Sequence, residues 1–344
     1  MMDERRPSSW SSTSRTRLRK AARAARSLYR ILRANPLTFV GFIMVMFIAI
    51  LSVLIVGVPF ITGLFGTPVG ILPHDPNELL PCAVPTECAA PPSLQNWFGT
   101  DNIGRDMFSR VLAALPLDLV IGFTVAGFAL LVGTGLGLVA GFWDTPGTVG
   151  GTLSVAIMRV TDIFLAFPSL VLALAIAASL GRGTVPALIA IMVTWWPFYV
   201  RLVRGEVLAV KHLPYVAAAR AAGVSGLQIL SRHVLRNILE PLIVYYTMDV
   251  GTVIVTFSTI SFIGIGVPPT IPEWGSMVES YEKLLLTAPW TVLAPGAAIF
   301  LTVLAFSLLG DGLRDILDPR SRRALVQTAT APGLPAVKAS AAEA

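Results

Sequence analysis

The chain has 344 residues, of which 54% are hydrophobic and only 13% charged. A soluble domain carries about 25% charged residues, so this composition excludes an ordinary soluble enzyme or binding domain. The net charge of +6 follows from where the basic residues lie relative to a membrane, and it needs no nucleic acid to explain it.

Six apolar runs of about 20 residues follow one another along the chain, each long enough to cross a bilayer as a helix. Backbone groups in lipid must be satisfied internally, which excludes an open sheet, and the runs lack the two-residue alternation of β-barrel strands. We therefore predict an all-α integral membrane protein with six transmembrane helices, at 37–58, 117–141, 157–180, 184–203, 240–264 and 289–310.

The basic residues predict the orientation of these helices. Of the 26 Lys and Arg residues, all but Arg105, Arg110, Arg182 and Lys283 fall on one side of the predicted membrane. Positive residues concentrate on the cytoplasmic side, so both termini are expected there, and the first apolar run is expected to be retained as a span.

The predicted helices divide the chain into five parts. A basic cytoplasmic tail with an amphipathic helix on the inner leaflet precedes the first transmembrane helix, and an extracytoplasmic loop follows it. Five further helices then form one domain that includes a cytoplasmic loop at 205–239, and the C-terminal tail is expected to be disordered after about residue 324. The parts are 1–36, 37–58, 59–116, 117–310 and 311–344.

Both cysteines, Cys82 and Cys88, lie in the extracytoplasmic loop. Their spacing permits a local disulfide, which would persist outside the cytoplasm, and two free thiols are the alternative. The three histidines are scattered over both sides of the membrane, so no metal site is expected.

The segment 98–112 predicts a helix capped by Asp101, with the pairs Asp101–Arg105 and Asp106–Arg110 at i, i+4. We expect this helix to lie flat at the extracytoplasmic interface, and direct contact with an external partner is the alternative.

The fifth apolar run is unusual because it carries an acidic residue, Asp249, and many hydroxyl side chains, including Thr252, Thr256 and Ser261. Ionisable residues within a span indicate function, so we predict that this helix lines a translocation path. Hydrogen bonding between closely packed helices is the alternative.

The longest polar run between spans extends from Tyr215 to Glu240. It begins as an Ala-rich helix and is predicted to turn sharply at Gly223, where glycine permits positive φ. A basic segment follows and ends at Pro241. Such a loop suits docking to a soluble protein. The chain has no P-loop sequence and no hydrolase motif, so we expect no enzymatic activity of its own.

Several blocks in order, from about Leu32 to Arg320, resemble the permease subunits of binding-protein-dependent ABC importers. More narrowly, they resemble the C-type inner-membrane permease of the dipeptide/oligopeptide and nickel family. The blocks include ANPLTFVG (34–41), FGTDNIGRDMFSR (98–110), MRVTDIFLAFPSL (158–170), WWPFYVRLVRGEVL (195–208) and SFIGIGVPPTIPEWG (261–275).

The polar loop also resembles the family's EAA motif, which docks on partner ATPases. The loop residues that this resemblance assigns to coupling are Tyr215, Ala217, Ala218, Ala219, Arg220, Gly223 and Leu235. The chain departs from the motif at Ala217, where the family has Glu, and at Arg236, where it has Pro. Phe257 stands where the family commonly has an acidic residue, and it is assigned to the translocation path. The extracytoplasmic motif comprises Gly99, Thr100, Asp101, Gly104, Arg105 and Asp106.

The resemblance implies a type I importer fold in a prokaryotic cytoplasmic membrane and the import of di- or oligopeptides, with nickel chelates or oligosaccharides as alternatives. It implies four partner proteins besides membrane lipid: a second homologous permease, two ABC ATPases and an extracytoplasmic binding protein. ATP and magnesium would bind the ATPases, and this chain would bind no cofactor. A remote alternative is a stand-alone proton-coupled carrier that uses Asp249.

Overall fold

The computed structural model describes residues 36–64, 70–81 and 88–317. Within these ranges the chain is helical and forms no β-strand, which confirms the all-α prediction. Its helices are α1 (Pro36–Leu64), α2 (Met107–Phe142), α3 (Val149–Leu165), α4 (Ser169–Leu180), α5 (Thr184–Val210), α6 (Pro214–Ala221), α7 (Gly226–Ile229), α8 (Leu235–Phe262), α9 (Trp274–Tyr281) and α10 (Trp290–Leu317). The predicted N-terminal amphipathic helix and the C-terminal tail beyond residue 317 lie outside the described residues.

Five segments of the described chain are long and apolar enough to cross a membrane. They are α1, α2, α5, α10 and the continuous run from Gly226 to Phe262 that ends with α8. A sixth crossing is complete only if α3 and α4 together form one span. The protein is therefore a multi-pass membrane protein, as its hydrophobic runs predicted.

The predicted third span, 157–180, covers parts of two helices, α3 and α4. The chain bends by 85° between α3 and α4. Pro168 precedes the first residue of α4, and a proline disfavours helical geometry in the residue before it, here Phe167. With 17 and 12 residues, both halves are shorter than the roughly 20 residues that usually span a membrane.

The centre of the bundle is the contact between α2 and α5, which is the most extensive between any two helices of the described chain. Three glycines spaced four residues apart, Gly133, Gly137 and Gly141, form one stripe of α2. A Cβ atom added at Gly137 would lie 2.6 Å from the Cβ atom of Val203, so no side chain fits between the two backbones. Small residues at this spacing allow membrane helices to approach closely.

The two ends of the bundle carry different elements. The start of α1 packs against the end of α10, where a Cβ atom on Gly312 would collide with Thr38. The short helices α6 and α7 lie at this same end, which we call the α6 end. At the opposite end, the α9 end, α9 packs on α8 and α10.

Candidate functional site

The first candidate site is the exposed face of α6 together with the turn that follows it, which we call the coupling surface. The predicted coupling residues Tyr215, Ala217, Ala218, Arg220 and Gly223 are all exposed. The side chains at 217 and 218 are single methyl groups, so this part of the surface is smooth and without charge. It is open to contact by another protein.

A small apolar cluster holds the coupling surface to the rest of the bundle. Val216 is fully buried among side chains of α5, α7 and α8. The other two predicted coupling residues, Ala219 and Leu235, pack against the same cluster. The coupling surface therefore rests on α5 and α8, the helices that run towards the opposite end of the bundle.

The predicted bend at Gly223 is confirmed. Gly223 has φ +79° and its N–H donates to the Arg220 carbonyl at 3.1 Å, while the next N–H, of Val224, donates to the Ala219 carbonyl at 3.1 Å. These bonds close the end of α6 with a left-handed residue, a common way for helices to end. Ser225 then caps α7 through the Gln228 N–H.

The helix is not interrupted at Pro241, where the basic segment was predicted to end and the next apolar run to begin. A π-helical turn, Leu230–Val234, joins α7 to α8, and Pro241 lies inside α8. Pro241 has no N–H to donate to the carbonyl group of Asn237, and the helix continues past it without that hydrogen bond.

The second candidate site surrounds Asp249 on α8. Its Oδ2 atom accepts hydrogen bonds from the indole Nε1 of Trp195 at 2.8 Å and from the hydroxyl group of Tyr199 at 2.9 Å. Both donors lie on α5, so the carboxyl group links α5 to α8.

Asp249 also borders a cavity of about 460 Å³. Half of its lining residues are aromatic, and they come from α4, α5 and α8: Ser169, Trp195, Phe198, Tyr199, Leu202, Tyr245, Asp249 and Thr252. A second cavity of about 300 Å³, towards the α6 end, is lined by Glu206, Glu240 and Arg314 among others, and it shares Tyr245 with the first. The two cavities therefore follow α8 from its start to its middle.

The structure separates the residues predicted to line a path along α8. Thr252 is exposed and borders the Asp249 cavity, and Thr256 is half-buried. Phe257 and Ser261 are buried against other helices, at 1% exposure each. Both threonine hydroxyls donate to carbonyl groups of their own helix, and their second lone pairs stay available to a solute.

The extracytoplasmic motif adopts a different structure from the one predicted. Residues 98–106 form no helix, and α2 begins at Met107, with Asp106 rather than Asp101 as its cap. The Asp106 Oδ2 atom accepts from the Ser109 N–H at 2.8 Å. The motif is also not a flat interfacial helix, since Asp101 and Asp106 are fully buried.

The motif instead ties together elements at the α9 end. The predicted pair Asp101–Arg105 is confirmed at 2.6 Å, although it closes a loop, and Tyr281 donates to the same Asp101 oxygen at 2.7 Å. Burial, reinforced by the negative charge of Asp101, raises the pKa of Tyr281 to about 12. Thr100 accepts a backbone hydrogen bond from Ala90 through its hydroxyl group.

The glycines of the motif allow this folding. Gly99 and Gly104 have φ +68° and +90°, which side chains disfavour. The predicted pair Asp106–Arg110 does not form. The guanidinium group of Arg110 is buried and donates to the carbonyl groups of Pro76 and Pro269 instead.

Of the two cysteines, only Cys88 lies within the described residues, where it is disulfide-bonded. Cys82 lies outside them, and the predicted pairing therefore remains a prediction. No group of three or more metal-ligating side chains occurs in the described part of the chain.

Comparison with known families identifies the bundle. The family described as binding-protein-dependent transport system inner membrane component matches residues 133–323, which include the coupling surface and the Asp249 cavity. The chain belongs to this family. The resemblance inferred from the sequence blocks is thus confirmed, and the permease is a membrane transport subunit.

Curated relatives extend the match towards the N-terminus. The permease is 43% identical over 248 residues to the probable D,D-dipeptide transport system permease protein DdpC of Escherichia coli, covering 72% of this chain and 80% of that protein. It is 43% identical to the dipeptide transport system permease protein DppC of Alkalihalophilus pseudofirmus, covering 67% and 74%. It is 40% identical to the glutathione transport system permease protein GsiD of Pectobacterium atrosepticum, with the same coverages.

A solved structure supports the fold. The permease superposes with a TM-score of 0.51 on a chain of the MetNI methionine ABC transporter, at 19% identity, covering 62% of this chain and 98% of that one. The bundle therefore has the fold of an ABC transporter permease.

Sequence reasoning missed two residues of the permease site, Trp195 and Tyr199. A signal for them was present in the run WWPFY at 195–199. Buried indole N–H and phenol O–H groups usually require a hydrogen-bond partner, and in the middle of a membrane the nearest strong acceptor is a carboxylate such as Asp249.

Proposed function

We propose that this chain is a permease subunit of an ATP-driven, binding-protein-dependent importer that moves di- and oligopeptides across the cytoplasmic membrane. The observation that carries the proposal is the 43% identity to a D,D-dipeptide and a dipeptide permease over two thirds or more of the chain. These relatives favour peptides over nickel chelates or oligosaccharides.

The proposed assembly contains a second homologous permease, two ATPases that bind ATP and magnesium, and an extracytoplasmic binding protein. The exposed coupling surface supports ATPase docking, because a smooth alanine face can lie close against another protein. The cavity beside Asp249 leaves Thr252 exposed, and this supports a path that a second permease completes.

We further propose six transmembrane helices, with α3 and α4 as one bent span, and both termini in the cytoplasm. The positive residues near the α6 end support this orientation. Single cysteines at Ser93→Cys and Ser225→Cys test it. A membrane-impermeant maleimide applied to spheroplasts should label the first and spare the second, and the reverse pattern would contradict the orientation.

The function is tested with the complex purified in mild detergent and reconstituted in liposomes. We expect a second permease and ATPases to copurify, and peptide uptake to require both ATP and the loaded binding protein. A chain that purifies alone and moves solute without ATP would overturn the proposal and favour the proton-coupled carrier.

A further inference from the structure

The carboxyl group of Asp249 has no cationic partner within the described residues. Its Oδ2 atom is bound by the neutral N–H of Trp195 and the neutral hydroxyl group of Tyr199, at 2.8 and 2.9 Å. A carboxylate near the middle of a membrane helix normally pairs with a positive charge or serves transport. Here Trp195 and Tyr199 orient the carboxyl group, and its negative charge stays available to a cationic ligand.

The second oxygen of this carboxyl group, Oδ1, accepts no hydrogen bond from any described residue. Oδ1 is not one of the buried polar atoms that lack a partner, so it is not buried and is accessible from the adjoining cavity. With Oδ2 fixed by two donors from α5, Oδ1 of Asp249 is held in place as a free acceptor.

Aromatic rings surround this free acceptor. Phe198 and Tyr245 line the same cavity and are 48% and 49% exposed, so their rings face open space. The rings of Trp195 and Phe198 lie 6.0 Å apart. Aromatic faces attract cations within about 6 Å, and the attraction strengthens where water is scarce. The carboxylate and these aromatic rings therefore both favour a cation as ligand.

We propose that this cavity binds a primary ammonium group of the peptide cargo during its passage, with Asp249 as the counter-charge and the aromatic rings as the surrounding wall. The inference rests on the proposed function of peptide import. A peptide carries an ammonium group unless its N-terminus is blocked. One of the three N–H donors of this group can bind the free carboxylate oxygen. A metal ion is a poorer match, because a single carboxylate provides too few ligands.

Tyr199 and Trp195 act as positioning residues for Asp249. Removing the Tyr199 hydroxyl group would leave the negative charge in place and loosen the orientation of the carboxyl group. Tyr199→Phe should therefore raise the KM for peptide more than it lowers the maximal rate, whereas Asp249→Asn should impair transport of a peptide whose ammonium group the cavity binds.

The test uses the reconstituted complex with its binding protein and three tripeptides. One has a free α-ammonium group, the second lacks it but carries a lysine side chain, and the third has no ammonium group. The ratio of Asp249→Asn to wild-type transport is measured for each peptide, and this ratio cancels the preference of the shared binding protein. We expect the ratio to fall about tenfold for an ammonium-bearing peptide, as for loss of one charge-assisted contact, and to stay near one for the third.

Two further variants separate charge from folding. Asp249→Glu keeps the charge and should restore most of the transport. Asp162→Asn removes a carboxylate that pairs with Arg201 at 2.7 Å outside the cavity, and it should leave the ratios near one. The first two peptides distinguish an α-ammonium from a side-chain ammonium as the group bound.

A second measurement is independent of which peptides the binding protein accepts. A photoreactive benzoylphenylalanine at Leu202 in the cavity should crosslink the α-ammonium peptide during turnover, and Asp249→Asn should reduce the yield about tenfold. Equal ratios for all three peptides, together with an unchanged crosslink, would overturn this inference and leave the proposed function intact. A wild-type complex that moves no peptide would remove the proposed function and the inference with it.

Discussion

The turn at Gly223 offers the sharpest test of the coupling surface. Gly223 has φ +79°, and a Cβ atom added there would meet no other atom within 4 Å. Replacing it with valine therefore adds backbone strain without a collision. A left-handed backbone costs a residue with a side chain about 1–2 kcal/mol, and the two branches of valine make the upper end appropriate.

That strain can be relieved only if the turn between α6 and α7 changes shape, which would move the coupling surface away from its docking position. At about 1.4 kcal/mol per factor of ten, the fraction of chains with the correct turn falls about 5- to 30-fold. We expect Gly223→Val to insert in the membrane at normal levels and to lose ATPase copurification and ATP-driven uptake by at least this factor.

Gly147 provides the matched control. It has φ +77°, an equally open surrounding, and a place in the connection between α2 and α3, outside the coupling surface. Gly147→Val should carry the same strain and retain docking. The assay is quantitative recovery of the ATPases on the affinity-tagged permease, followed by uptake in liposomes. Wild-type recovery with Gly223→Val, or an equal loss with Gly147→Val, would refute the reasoning.

Three further predictions concern stability, measured by thermal unfolding in detergent. Tyr281→Phe removes a donor to the buried Asp101 and should lower the free energy of unfolding by about 1–3 kcal/mol. Burial and Asp101 raise the pKa of Tyr281 to about 12, so its hydroxyl group stays protonated and the loss of stability should be equal at about pH 6 and about pH 9. Burial raises the pKa of Glu273, so folding favours the neutral carboxyl group and stability should fall as the pH rises above about 4.5. Glu273→Gln should reduce this dependence of stability on pH. An unchanged pH dependence in the variant would contradict the prediction. Gly137→Leu places a Cβ atom 2.6 Å from the facing α5 side chain and should cost at least about 1–3 kcal/mol, whereas Gly135→Leu, with no atom within 4 Å, should be tolerated.

The sequence was sufficient to predict the helices, since runs of apolar residues in lipid have no alternative to helix. It was also sufficient for the bend at Gly223, because a glycine after an alanine-rich helix is a common ending. Both predictions depend on local chemistry. The break before Pro168 was predictable on the same local grounds, but a count of apolar residues alone passed over it.

The extracytoplasmic motif was harder to predict because its charges are satisfied by residues far along the chain. Asp101 and Arg105 do pair, as their spacing suggested, but the spacing of a helical pair also fits a tight loop. The partner that decides between the two is Tyr281, which is 180 residues from Asp101. No local pattern contains that contact.

The contact between α2 and α5 has a mechanical consequence. With glycines of α2 seated directly on the backbone of α5, the two helices have no intervening side chains to yield, and they should move as one body. From Val210 to Tyr199, α5 extends about 17 Å at 1.5 Å per residue, so one helix connects the region near α6 to the cavity wall. Asp249 lies on α8, which contacts α5 less extensively than α2 does. A slide of about 1.5 Å between α5 and α8, across the direction of its hydrogen bonds to Trp195 and Tyr199, would lengthen them from 2.8 and 2.9 Å to roughly 3.2 and 3.3 Å and weaken the hold on the carboxyl group.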